Sequence, residues 1–157
     1  MPDTVPVDPV ALRADVREKY REVALHPDGE FHFHRGRPLA ALLGYSAEIV
    51  DALPQRAVES FAGVGNPHSV RPLRSGERVV DFGSGGGFDC FIAATAVGDA
   101  GAVIGVDMTG AQLAKARRLG QAGGFDAVDF RESYIETPPV DDASVDVVIS
   151  NGVIDLV

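Results

Sequence analysis

The sequence predicts an α/β domain built on a parallel sheet, and three observations predict it. A short apolar strand, Val79 to Phe82, runs into a glycine loop, Gly83 to Gly87, and then directly into a helix, Phe88 to Val97. Strand and helix signals alternate from there onward, at the spacing of strands joined by crossover helices. A second strand, Ala102 to Val106, ends beside an acidic residue, Asp107.

The remaining elements follow in order. Residues 1–75 read as helical and residues 76–157 as the alternating α/β unit. Asp8 followed by Pro9 starts a helix, with a side-chain acceptor at the cap and a proline at the first helical position. Leu12, Val16, Tyr20 and Val23 then fall on one helical face. Pro27, Asp28 and Gly29 turn the chain. Short helices are expected over Leu39 to Leu43, after Ser46 as cap with Glu48 in the first turn, and from Gln55 to Phe61. Gly63, Gly65 and Pro67 break the chain. In the second region Thr109 and Gln112 have capping-box spacing, so a helix starts there and reaches about Ala122. Val128 to Phe130 read as a third strand. Val145 to Ser150 read as a fourth, after the turn-rich stretch Pro138 to Ser144.

Composition narrows the function. Hydrophobic residues make up 45% and charged residues 24%, which is ordinary for a globular domain. The net charge is −9 without a cluster of Lys or Arg, so nucleic acid is not an expected partner. There is no long apolar run for a membrane and no targeting signal, which makes the cytoplasm the default. One cysteine excludes an internal disulfide or a cysteine-rich zinc site. His26, His32 and His34 are read as loop histidines, because no acidic ligands stand near them on a rigid element. No metal is expected.

The glycine loop carries the chemistry. Glycines let the backbone approach a ligand closely, and a helix N-terminus offers N–H donors. Asp107 lies twenty residues past Gly87, where a carboxylate can accept both hydroxyls of an adenosine ribose. A dinucleotide loop would need a third glycine at position 88, which is Phe88. Asp81, two residues before the first loop glycine, would repel a pyrophosphate and attract a cation. A glycine turn that only packs helix on strand is the plain alternative.

The stretches SFAGVGNP (60–67), VVDFGSGGGFDC (79–90), VIGVDMT (103–109), FRESYIETP (130–138) and VDVVISNGV (145–153) resemble class I S-adenosylmethionine-dependent methyltransferases. The likeness is nearest to the arsenite methyltransferase group. The resemblance implies a Rossmann-like sheet of strand order 3-2-1-4 behind an N-terminal helical extension, and S-adenosylmethionine as cofactor. It implies that Gly83, Ser84, Gly85 and Gly87 hold the methionine end, with Asp81 behind them. Asp107 would take the ribose, and Met108, Tyr134 and Ile135 would flank the adenine. Asn151 would stand near the transferred methyl group. Cys90 would be a thiolate of the substrate side, favoured by the helix N-terminus, against the plainer reading of a small buried residue on the sheet-facing side of its helix. Arsenite enzymes carry further cysteines where this chain has Val64 and Gly152. A lone thiol cannot cage a trivalent metalloid, so the expected acceptor is a small molecule whose identity the sequence leaves open, and the missing cysteines count against arsenite.

Members of that group continue past a fourth strand. The chain is therefore expected to stop short, with Val145, Val147, Val148 and Ile149 on a bare edge that pairs with a second copy or with a missing C-terminal half. Two other functions remain open: a cofactor-binding or interaction module without catalysis, and a nicotinamide dinucleotide binder, ranked last because of Phe88 and Asp81.

Overall fold

The computed structural model describes residues 8–26 and 34–154. The expected turn at Pro27 to Gly29, and His32, lie outside these, as does the side chain of Val23. Helix α1 spans Pro9–Leu25 and is capped as expected, with the Asp8 carboxylate accepting from the Val10 N–H at 2.9 Å. Three short helices follow: α2 (Gly36–Leu42), α3 (Ala47–Asp51) and α4 (Gln55–Glu59). Ser46 precedes α3 but makes no side-chain cap bond. A single 3-10 turn covers Pro67–Ser69.

The α/β unit comprises β1 (Arg78–Phe82), α5 (Phe88–Val97), β2 (Ala102–Asp107), α6 (Gly110–Gly123), β3 (Asp129–Glu132) and β4 (Val147–Ser150). The four strands form one sheet in the order β3-β2-β1-β4, and every pairing is parallel. Strand β1 is central and buried, with Val79, Val80 and Asp81 all at 2% exposure or less. That register brings the ends of β1 and β2 together, because Phe82 pairs with Val106.

The core joins the sheet to α5 and to the short helices. Cys90, Phe91, Ala93 and Val97 of α5 are buried with Val79, Val103 and Phe130 of the sheet. An aromatic cluster ties in the N-terminal helices: Phe61 stacks on Phe88 at 4.0 Å, and Tyr45 meets both edge-on at 5.3 and 5.0 Å.

Two local expectations fail for tertiary reasons. Thr109 makes no side-chain cap on α6, and its N–H, which the Gln112 side chain would hold in a capping box, is taken by Asp107 at 2.8 Å. Gln112 does not reach back along its own helix; its amide donates to the Tyr20 carbonyl of α1 at 3.1 Å. The outer edge is also less bare than expected. Val148 is 53% exposed, but Ile149 is only 7% exposed and belongs to the core.

Candidate active site

The chain leaves β1 at Gly83 and enters α5 at Phe88, so the loop between them crosses the carboxyl end of the sheet. This is where open α/β sheets bind ligands. Gly85 (φ 54°) and Gly87 (φ 94°) adopt left-handed backbone that favours glycine. A side chain at Gly87 would also strike Phe91, whose ring atoms lie 2.8 Å from where its Cβ would stand.

Four of the loop's N–H groups are bonded within the protein. Those of Gly83 and Ser84 donate to the Val106 carbonyl at 2.7 and 3.0 Å, and that of Gly87 to the Ser84 carbonyl at 3.0 Å. The Gly85 N–H donates to Asp107 at 2.9 Å. What these residues offer a ligand is therefore shape and acceptors, and not the N–H cradle expected from the sequence. An acceptor-lined loop suits a cation and is a poor seat for phosphate.

Above the loop lies a cavity roofed by Arg13, Val16 and Tyr20 of α1. Asp81, Gly83, Ser84, Gly85, Asp107, Met108, Tyr134, Ile135 and Asn151 all line it. Two expected site residues do not. Gly87 packs against Phe91 and Phe130 behind the loop. Cys90 is fully buried, and its thiol donates to Asp81 at 3.4 Å. Burial, together with the Asp81 carboxyl, raises the thiol pKa well above its usual value, so Cys90 stays a thiol. A helix N-terminus alone would favour the thiolate; burial here works the other way, and Cys90 sits as a small buried residue of α5.

Charge in the cavity is one-sided. Asp81, Asp89, Asp107 and Glu136 line it, against the single guanidinium of Arg13, which pairs with Glu136. Burial, then the neighbouring Asp89 and Asp107, raise the Asp81 pKa well above the ordinary range. The Asp107 pKa is also raised by burial, opposed by the Gly85 and Thr109 N–H bonds.

Asn151 is more constrained than the sequence suggested. Its carbonyl oxygen accepts from the N–H groups of Val64 and Gly65 at 2.8 and 3.1 Å. Its amide donates to the Gly65 carbonyl at 2.8 Å, and lies 3.2 Å from both Tyr45 Oη and Asp89 Oδ2. It pins the 63–66 loop to the end of β4. Sequence reasoning missed Asp89, Gln112 and the roof from α1. The first sat unremarked in the motif and the second had been given a capping role.

Comparison with known proteins agrees with this geometry. A family model described as "Methyltransferase domain" matches residues 73–157. The arsenite methyltransferase of Halobacterium salinarum is 46% identical over 114 residues, which is 73% of this chain and 29% of that protein. That of Aquipseudomonas alcaligenes is 45% identical over 91 residues, 54% of this chain and 26% of that protein. The chain thus spans less than a third of the length of these curated relatives. An arsenic(III) S-adenosylmethionine methyltransferase from Chlamydomonas reinhardtii superposes with a TM-score of 0.51 at 33% identity, over 72% of this chain and 38% of that one. A protein-L-isoaspartate O-methyltransferase, 19% identical with a TM-score of 0.54 over 85% of this chain and 47% of that one, shares the fold.

Proposed function

The chain belongs to the methyltransferase-domain family, and on that premise we propose that its cavity binds S-adenosylmethionine and serves methyl transfer to a small nucleophile. The observation that carries this reading is the cavity itself: an acidic chamber at the carboxyl ends of β1 and β2, lined by Asp81, Asp89 and Asp107, where four of the loop N–H groups are already bonded within the protein. One buried polar atom fits a polar ligand there: Gln112 Oε1 has no hydrogen-bond partner and lies beside Gly86, and both residues line the cavity.

When bound, the cofactor supplies an activated methyl group on a sulfonium, which needs no metal to leave. The residues of this chain supply placement. Asp107 keeps free lone pairs on both oxygens after accepting from Gly85 and Thr109, enough for two ribose hydroxyls. Met108, Tyr134 and Ile135 flank the adenine. Asp81 backs the loop and provides negative charge under the methionine end. Asn151 acts by positioning the 63–66 loop at the mouth.

The acceptor is a small molecule. Arsenite, named for the relatives, would need thiols from elsewhere, because Cys90 is the one cysteine here and is held against Asp81. The half-exposed Val148 edge of β4 is proposed to pair with a second copy or with a C-terminal half. Calorimetric titration with S-adenosylmethionine and with NAD tests the cofactor assignment. Saturable binding of the first and none of the second is expected; the reverse would overturn it.

A further inference from the structure

Lys115 is a buried cation outside the chamber. It lies on α6, which packs against α4, one turn beyond Gln112. It is only 6% exposed, and its Nζ atom is buried without a hydrogen-bond partner. An amine held this way gives up its hydration and gains no partner for its charge. Its surroundings add to the cost. Burial lowers the Lys115 pKa, the Arg56 guanidinium lowers it further, and so do Arg118 and Arg35; Glu59 alone acts the other way.

The backbone sets this meeting. The Gly36 N–H donates to the Phe61 carbonyl at 2.7 Å, and a Cβ on Gly36 would stand 3.4 Å from the Glu59 carbonyl oxygen. Arg35 is thereby held beside the end of α4, which carries Arg56 and Glu59. Arg118 follows Lys115 by one turn on α6. The fold assembles this basic cluster from separate segments, so the sequence shows no basic run. Carboxylates are plentiful in the chain, with 23 Asp and Glu against 14 Lys and Arg. Arg13, Arg17, Arg37, Arg71 and Arg131 each pair with one. Arg56 and Arg118 are exposed and have no ion-pair partner among the described residues.

We propose that Lys115, Arg56 and Arg118 form a binding site for a phosphate-like oxyanion at the junction of α4 and α6. None of these residues lines the chamber, so this site is separate from the cofactor's. Four cations against one carboxylate leave an excess that a divalent anion offsets. The buried amine supplies charge and donors at the base of the site. The two exposed guanidiniums close on the anion from the solvent side, with planar forks that match phosphate oxygens.

The test is calorimetric titration of the whole chain with inorganic phosphate at constant ionic strength. Saturable binding is expected, with none for chloride. Lys115→Met keeps the aliphatic stem and removes the charge; it is expected to weaken phosphate binding at least about tenfold. Arg118→Gln, on the exposed side, is expected to weaken it about two- to fivefold. Thermal unfolding gives a second readout. Phosphate is expected to raise the Tm of the wild type and not that of Lys115→Met. Without phosphate, Lys115→Met is expected to melt no lower than the wild type, because it removes an unpaired buried charge. Tighter binding of inorganic phosphate than of phenyl phosphate assigns the site to the free ion, and the reverse assigns it to a phosphate carried on a larger molecule. A wild type without saturable phosphate binding overturns the proposal, as does undiminished binding in Lys115→Met or in Arg118→Gln. So does a Lys115→Met variant that melts below the wild type without phosphate, since Lys115 would then be satisfied without an anion.

Discussion

Asp107 stands at the end of β2 and accepts from the Gly85 N–H, so it ties the glycine loop to the sheet. Asp107→Ala removes a charged acceptor for two hydroxyls and frees the loop. It is expected to weaken S-adenosylmethionine binding at least about tenfold by titration, each such bond contributing about 1.5–3 kcal/mol. The burial of Cys90 was legible from its place on the sheet-facing side of α5, but its partner Asp81, nine residues away across the strand–helix turn, was not. Cys90→Ser is expected to leave cofactor affinity nearly unchanged. Alkylation of Cys90 should be very slow in the native protein and fast in denaturant; rapid native alkylation would show an accessible thiolate. Asp81 gives a pH dependence. Its native pKa lies above the ordinary carboxylate value, so the unfolded chain releases that proton first as pH rises. Stability therefore falls with rising pH from the ordinary carboxylate range up to the native value, and Asp81→Asn should flatten that fall in denaturant titrations across pH. A cationic ligand favours the ionised form, so binding should release a proton over the same window, measurable in buffers of different ionisation heat.

Among the elements, α1 is tied to the rest by contacts that are mostly half in solvent. Arg13 pairs with Glu136 and lies 5.6 Å over the Tyr134 ring, Arg17 approaches Glu132 at 3.4 Å, and Gln112 holds the Tyr20 carbonyl. These ion pairs are half in solvent, where each contributes at most about 1 kcal/mol. Val10 and Leu12 are 73% and 40% exposed, so little apolar burial supports the helix. Its amides are expected to exchange faster than those of β1 and α5, and to gain protection when cofactor fills the cavity beneath. Equal exchange in α1 and β1, unaltered by cofactor, would contradict its role as a roof. The helix itself was legible from its cap and spacing, but its position was not. Thr109 and Gln112 show why: the spacing of a capping box is satisfied by sequence, while the partners that win are Asp107 and Tyr20, brought in by the tertiary fold.

At the scale of the whole molecule, the strand order was legible through the family resemblance, and the placement of the cavity because open α/β sheets bind ligands at the carboxyl ends of their strands. The Tyr45–Asp89–Asn151 network was not, since it joins residues 44 and 62 positions apart that no local pattern relates. The same network closes one end of the chamber that β1, β2 and α1 enclose. The central claim is that S-adenosylmethionine lies in this chamber, under α1 and against the loop. Amide NMR of the whole chain during titration tests it most directly. The account predicts shifts concentrated at Gly83, Gly85, Asp107, Met108, Ile135 and the Tyr20 end of α1. Shifts elsewhere with these amides unmoved, or none at saturating cofactor, would contradict it.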